Sequence, residues 1–168
     1  ISRMCLGPIL EYGEQALRDN EAGIASEALE NVVLAINVTT ALTSILVTKD
    51  KIIDYNTGLA HAINYGLTSY PEVEHNHLHG EIVSFGVLVL LLVESQVDPS
   101  MREKFDRMLA FSRATGLPTR LEDLGLSAAD QDAVIDKALA MPDIDHNPYV
   151  ITRDMMVQAF EELQKITK

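Results

Sequence analysis

The sequence predicts an all-α fold, an irregular bundle of about seven helices, and three observations support this prediction. Apolar residues recur at spacings of three and four along most of the chain, whereas strict alternation over six or more residues is hard to find. The length of 168 residues suits one domain with a single core. The 47% hydrophobic and 23% charged residues are typical of a globular protein. We therefore expect a single helical domain over residues 1–168, without an interdomain linker.

The first two helices are predicted from apolar stripes. One covers Leu6–Arg18, and a longer one runs from about Ile24 to Val47. The β-branched residues of the second segment would also suit strands, so this prediction depends on its length. Its stripe is wide enough to indicate contacts on several sides, which favours a central helix. The stripe consists of Leu29, Val32, Val33, Ile36, Leu42, Ile45 and Leu46.

The next two helices flank a histidine-rich tract. A third helix is expected to begin near Asn56–Gly58, after the polar stretch Lys49–Lys51, and to stop at Gly66. A loop that carries Pro71 then leads through residues 74–81 into an apolar helix that ends near Gln96.

The remaining helices are predicted from their end signals. A helix follows Asp98-Pro99-Ser100 and stops at Gly116 and Pro118, and its expected core face is Met101, Phe105, Met108, Leu109 and Phe111.

Further caps delimit the last elements. Thr119 with Glu122 resembles a capping box on a short turn that Gly125 closes. Ser127 with Asp130 resembles the same device at the start of a helix that ends at Met141-Pro142. Thr152 can cap the final helix, whose expected buried face is Met156, Ala159, Phe160, Leu163 and Ile166.

Charge and composition exclude several classes of partner. The formal net charge of −12 argues against nucleic acid, because polyanions are held by positive charge. The longest apolar run, Ile82–Val93, is shorter than the roughly 20 residues that cross a bilayer, so it indicates a buried segment and no membrane span. A single cysteine, Cys5, cannot form an internal disulfide and fits a reducing cytosol. None of the nine glycines falls in a dinucleotide-binding or phosphate-loop motif.

Four of the five histidines lie between positions 61 and 79, and they form the only cluster of metal-competent side chains in the sequence. His61 lies between two alanines in the third helix, and His79 lies at the start of the apolar helix. Both could face one cavity. Neutral imidazole suits Zn²⁺ or Fe²⁺, but a catalytic site usually has three protein ligands, so two histidines are one short.

Simpler interpretations remain open for each histidine. His75 and His77 on a surface loop are favoured as solvated residues or adventitious metal binders. On spacing alone, His61 is more often a core histidine bonded to a backbone carbonyl. His146 and Cys5 have no visible partner for nucleophilic catalysis and are assigned no role.

A resemblance adds to this interpretation. The tracts Gly58–Thr68 and His79–Gly86 are similar to those of the glycerol dehydrogenases, in the metal-dependent, so-called iron-containing alcohol dehydrogenase superfamily. That superfamily has structural kinship with dehydroquinate synthase. The similarity continues through three further blocks and covers nearly the whole chain, which resembles the helical C-terminal half of these enzymes. The blocks are Gly116–Leu126, His146–Pro148 and Thr152–Asp154.

The resemblance implies that His61 and His79 are two ligands of a catalytic divalent metal, which is zinc in glycerol dehydrogenases and iron in several relatives. Their separation of 18 residues favours the glycerol dehydrogenase branch. The family's third ligand is an aspartate, and it and the NAD-binding domain come from a part of the family's sequence that precedes the tracts matched here. Asn64 stands where relatives often have another histidine near the substrate.

The resemblance therefore implies the metal-binding domain of an NAD-dependent glycerol or polyol dehydrogenase, cytoplasmic, homo-oligomeric and inactive without its nucleotide domain. Two alternatives stay open. One is a stand-alone helical module that kept the fold and serves binding or assembly. The other is a cousin that acts on another alcohol, with a phosphorylated polyol disfavoured because no basic pair lies near His61.

Overall fold

The structure is a computed structural model that describes residues 2–48 and 57–167. Every regular element in these two ranges is a helix, so the all-helical prediction is confirmed. The chain divides into two compact units, residues 1–56 and 57–168. The single domain expected over residues 1–168 stays a prediction.

The described residues of the first unit, 2–48, form three α-helices. Helix α1 covers Ser2–Glu21, α2 covers Glu27–Leu34 and α3 covers Ala41–Thr48, with a π-helical segment, Ala35–Thr40, joining α2 to α3 without a break. Helix α1 packs against α2 and against the π segment. The long helix predicted from Ile24 to Val47 is thus present, although it begins at Glu27.

A buried carboxylate fixes the turn between α1 and α2. Asp19, which is 8% exposed, accepts hydrogen bonds from Gln15 Nε2 at 2.6 Å and from Ser26 Oγ at 2.5 Å. Ser26 is the N-cap of α2, and its Oγ accepts from the backbone N–H of Leu29 at 3.2 Å. One polar chain therefore joins the last turn of α1 to the first turn of α2.

The prediction of a central, many-sided second helix is wrong for the described residues. No residue of α2 is buried, and Ala35 is the only buried one in the π segment. The predicted stripe residues Val33, Ile36, Leu42 and Ile45 are exposed, at 45–64%. Among residues 2–48, α1 is the separate helix that packs on α2, and the wider turn of the π segment rotates the residues after it relative to those before. The side chain of Leu46 and the stretch Lys49–Lys51 lie outside the described residues.

The second unit contains six α-helices in its described part. They are α4 (Leu59–Leu67), α5 (Pro71–Asn76), α6 (His79–Val97), α7 (Met101–Thr115), α8 (Gln131–Leu139) and α9 (Arg153–Ile166). Short 3₁₀ turns cover Glu122–Leu124, Ala128–Asp130 and Pro142–His146.

Helix α6 is the central helix of this unit and contacts α4, α7 and α9. By length and composition it could cross a membrane, and no other helix in the described residues meets that criterion. A core helix passes the same test, and the packing of α6 is that of a core helix. Its apolar residues are buried against those of its neighbours; they include Ile82, Phe85, Leu88, Val89, Leu92 and Val93.

Two glycines set how closely α4 approaches its neighbours. A Cβ at Gly86 of α6 would lie 2.5 Å from the carbonyl oxygen of Ala60, and a Cβ at Gly66 of α4 would lie 2.6 Å from that of Val134 in α8. Both contacts are closer than any side chain permits, so each glycine allows backbone to touch backbone. The prediction that Gly66 stops the helix is wrong, because α4 continues to Leu67 and Gly66 serves close packing instead.

The predicted helix ends are partly confirmed. Gly116 and Gly125 adopt positive φ angles of 72° and 80°, the Ser127–Asp130 capping box is present, and Thr152 Oγ1 accepts from the N–H of Met155 at 3.3 Å. The partner predicted for Thr119 is wrong. Asp123, and not Glu122, accepts from the Thr119 N–H at 2.9 Å.

Two element boundaries also differ from expectation. The stretch around Pro71, predicted as a loop, contains α5, since proline at the first helical position does not lose a hydrogen bond. The third helix begins at Leu59, and Asn56 lies outside the described residues.

Candidate metal centre

His61 is held in place by the packing of α4. Leu59, Ala60, Ala62 and Ile63 around it are buried, whereas His61 itself is half-buried at the edge of the helix. Because Ala60 touches Gly86 directly, the position of α4 against α6 is fixed at the residue next to His61. The backbone beneath the imidazole is therefore rigidly supported.

His79 is the first residue of α6, and its position depends on the cap of that helix. Glu81 Oε2 accepts a hydrogen bond from the N–H of Leu78 at 2.9 Å, which closes the first turn of the helix. His79 is exposed, in contrast to the buried residues further along α6. The helix thus presents an accessible imidazole at its N-terminal end.

The fold brings the two imidazoles together. The ring centroids of His61 and His79 lie 5.8 Å apart, with the ring planes inclined at 44°. Zinc–nitrogen bonds of about 2.0–2.1 Å from both rings would place the centroids roughly 5–6 Å apart, so the observed separation fits two rings on one ion. That arrangement is compatible with zinc or ferrous iron, which both accept neutral imidazole.

The electrostatics favour neutral, ligating imidazole at His61. Burial lowers the pKa of His61, and the neighbouring His79 lowers it further, whereas the carboxylate of Asp143 acts in the opposite direction. The net pKa is below the ordinary value of histidine. His61 is consequently neutral at pH 7 and has a free nitrogen lone pair.

One polar side chain near His61 is buried without a hydrogen-bond partner. Asn64 lies one helical turn after His61 and is 2% exposed, and its Oδ1 has no partner among the described residues. Such groups are uncommon in native proteins. Asp143, in the 3₁₀ turn Pro142–His146, is also buried, at 7% exposed.

The described residues by themselves do not complete a metal site. Across residues 2–48 and 57–167, no group of three or more histidine, cysteine, aspartate or glutamate side chains is placed to hold one ion. The pair therefore supplies two of the three protein ligands that a catalytic site usually needs. The role of His61 and His79 as ligands stays a prediction.

The remaining histidines have surroundings different from those of His61 and His79. His75 is exposed on α5, and His77 Nδ1 lies 3.6 Å from Glu81 Oε2 beside a shallow cavity of about 250 Å³. His146, to which the sequence assigned nothing, has Nδ1 at 3.2 Å from the carbonyl oxygen of Thr57. This contact links the 3₁₀ turn to the residues just before α4. The side chain of Cys5 lies outside the described residues.

Sequence reasoning missed Asp143. Nothing in the sequence separates it from the neighbouring Asp145, since both are aspartates in a short turn without a periodic pattern. Only the tertiary packing of this turn on α4 shows that one carboxylate is buried while the other is exposed.

No protein-family model matches the sequence. The chain is homologous to glycerol dehydrogenases, and it aligns with the C-terminal portion of those proteins. The all-helical fold agrees with this relation.

Individual relatives support this assignment. The chain is 33% identical over 153 residues to the glycerol dehydrogenase of Thermotoga maritima. This alignment covers 88% of the chain and 38% of that protein. The crystal structure of a probable glycerol dehydrogenase from Sinorhizobium meliloti matches 98% of this chain and 44% of its own length, with 31% identity and a TM-score of 0.78. Glycerol dehydrogenase from Schizosaccharomyces pombe matches 97% of this chain and 39% of its own, with 25% identity and a TM-score of 0.73. The chain thus spans about two fifths of the length of these relatives.

Proposed function

We propose that this chain is the metal-binding part of an NAD-dependent glycerol or related polyol dehydrogenase, in which His61 and His79 are two ligands of a catalytic Zn²⁺ or Fe²⁺. The observation that carries the proposal is the 5.8 Å separation of the two imidazole rings. When bound, such a metal polarises the substrate hydroxyl and lowers its pKa, which prepares the carbon for loss of hydride to NAD⁺.

The residues of this chain have positioning roles in that reaction. His61 and His79 hold the ion between α4 and the start of α6, and the contact of Gly86 with Ala60 fixes the two helices against each other. The neutral state of His61 at pH 7 leaves its nitrogen free to ligate without first losing a proton.

The remaining parts of the reaction come from outside these 168 residues. A third ligand, a carboxylate in this proposal, and an NAD-binding domain with a glycine-rich loop are supplied by a further domain, because no glycine of this chain falls in such a loop. The chain by itself therefore binds metal weakly and does not oxidise glycerol. The assembled enzyme is a cytoplasmic homo-oligomer that takes a small polyol and does not bind nucleic acid or membranes.

Two alternatives belong to the same fold. The chain could act as a helical binding or assembly module, which the large exposed apolar residues of α2 and α3 favour. It could also belong to an enzyme for another alcohol, which the asparagine at position 64 favours, because an amide recognises hydroxyl patterns differently from an imidazole.

Metal titration tests the proposal. We expect calorimetry with Zn²⁺ to show one site in the wild-type chain and a loss of affinity of at least tenfold in both His61→Ala and His79→Ala. The matched control is the double variant His75→Ala/His77→Ala, which removes two nearby imidazoles and is expected to bind as the wild type does. Unchanged binding in the two single variants together with lost binding in the control would show that the assignment is wrong.

A further inference from the structure

We propose that His146 is a positioning residue of the His61/His79 site. Its ring holds the start of α4, and with it the backbone of His61, at the place from which the two imidazoles can share one ion. This inference rests on the proposed function, which gives His146 no role. Among the described residues, His146 does not join the pair in a group of three that could hold one ion, so it acts through the backbone and not as a ligand.

The first argument is a hydrogen bond between residues far apart in the chain. His146 Nδ1 lies 3.2 Å from the carbonyl oxygen of Thr57, 89 positions away. A carbonyl oxygen only accepts, so Nδ1 carries the hydrogen and donates it. Thr57 comes directly before Gly58, the N-cap residue of α4. His146 therefore bonds to the chain where it enters the helix that carries His61.

The second argument is the short backbone path from this bond to His61. The carbonyl oxygen of Gly58 accepts hydrogen bonds from the N–H groups of His61 and Ala62, both at 3.0 Å. The carbonyl groups of Thr57 and Gly58 belong to consecutive peptide units, and each unit is planar and stiff. A displacement of the first carbonyl therefore moves the acceptor that holds the His61 backbone.

The third argument is that the N-cap residue of α4 cannot supply a side-chain cap. Gly58 has no side chain, whereas Ser26 and Thr152 cap α2 and α9 with theirs. Contacts from a distant turn take the place of such a cap. The 3₁₀ turn Pro142–His146 packs against α4, and Asn147 Oδ1 lies 3.8 Å from the position that a Cβ at Gly58 would occupy.

The geometry of the pair shows why the start of α4 matters. The ring centroids of His61 and His79 lie 5.8 Å apart, within the roughly 5–6 Å that fits two rings on one ion. A shift of about 1 Å at His61 would take the rings out of that range. The contact of Ala60 with Gly86 fixes α4 against α6, and the bond from His146 fixes the turn that precedes this contact.

Two substitutions at position 146 separate the hydrogen bond from the bulk of the side chain. Asparagine and leucine branch at Cγ as histidine does, and asparagine Nδ2 is as many bonds from the backbone as histidine Nδ1. His146→Asn therefore keeps a donor for the Thr57 carbonyl, and His146→Leu removes it. The matched control is His75→Leu, which makes the same change at an exposed histidine on α5.

Amide hydrogen exchange of the metal-free chain, measured by NMR, tests the contact itself. We expect the N–H groups of His61 and Ala62 to exchange about tenfold faster in His146→Leu, the effect of one lost hydrogen bond on local opening. His146→Asn and His75→Leu should keep the wild-type exchange rates. All three variants should unfold at the urea concentration of the wild type, because position 146 is exposed.

Titration with Zn²⁺ alone tests the consequence for the site. We expect His146→Leu to weaken binding about 3- to 10-fold, which corresponds to the net contribution of one hydrogen bond. His146→Asn should restore the wild-type affinity, and His75→Leu should bind as the wild type does.

Three outcomes would overturn the inference. Unchanged exchange at His61 and Ala62 in His146→Leu would show that the ring does not hold the start of α4. Faster exchange with unchanged Zn²⁺ affinity would show that this hold does not position the site. A lower unfolding midpoint in His146→Leu and His146→Asn alike would assign His146 to general stability. If the wild-type chain binds no Zn²⁺, the proposed function itself fails, which is distinct from wild-type binding that His146→Leu leaves intact.

Discussion

Residues 2–48 and residues 57–167 both have apolar residues at helical spacing, but the two regions differ in how far those residues are buried. In the second region, apolar faces of α4, α6, α8 and α9 bury one another in a continuous core. In the first, large apolar residues of α2, the π segment and α3 are exposed. The difference shows that an apolar stripe specifies a helix, whereas burial requires a second surface of matching shape.

The largest expected effect comes from removing a core side chain in the second region. Phe160 on α9 is 1% exposed, and its ring centroid lies 5.9 Å from that of Phe85. We expect Phe160→Ala to lower the free energy of unfolding by about 3–5 kcal/mol, measured by urea unfolding followed by circular dichroism. The counterpart Leu42→Ala, at a residue that is 55% exposed, should change it by no more than about 0.5 kcal/mol. Equal losses at the two positions would remove the contrast between the regions.

A smaller effect is expected from adding one methyl group to a helical glycine. At Gly66 the new Cβ would meet the Val134 carbonyl at 2.6 Å, whereas at Gly7 of α1 nothing lies within 4 Å. Gly66→Ala should therefore destabilise the protein by about 1–3 kcal/mol, because backbone must move. Gly7→Ala should stabilise it by about 0.5–1 kcal/mol, because alanine is the better helix former. Urea unfolding measures both effects. If Gly66→Ala leaves the free energy of unfolding unchanged, α4 and α8 are not in direct contact.

The smallest effect concerns the pH dependence of stability. It belongs to the second region, because all five histidines lie after residue 57. Burial lowers the pKa of His61 in the folded chain, so the unfolded chain takes up the proton more readily. The stabilising contribution of His61 is thus present above the unfolded pKa of about 6.5, and it is lost as the pH falls toward the lower folded pKa. We expect metal-free wild-type protein to lose stability between pH 7 and pH 5 more steeply than His61→Gln. Parallel profiles for the two proteins would contradict the burial of this imidazole.

Local signals in the sequence predicted much of the fold. The caps at Ser127 and Thr152, the positive-φ glycines Gly116 and Gly125, and the buried face of α9 were predictable because each depends on residues within a few positions of one another. The prediction failed where distant residues compete. Gly66 resembles a helix stop, but α8 uses it for close contact, and the π segment has no signal in the stripe that contains it.

The same distinction between local signals and distant contacts applies to the candidate site. His61 and His79 are predictable from the histidine cluster and from the resemblance that their flanking residues carry. Asp143 and His146 are not, because their nearness to the start of α4 depends on a chain reversal through α6, α7 and α8 that no local pattern specifies.

The sequence by itself determined that this chain is helical, where most helices end, and which two imidazoles to consider, because those properties depend on residue type and on neighbours along the chain. Only the tertiary structure decided that the imidazoles lie 5.8 Å apart, that one of two similar aspartates is buried in a turn packed against α4, and which apolar stripes are covered. The physical reason is that burial and through-space charge depend on distances between helices, and packing sets these distances by contacts as specific as one glycine against one carbonyl oxygen.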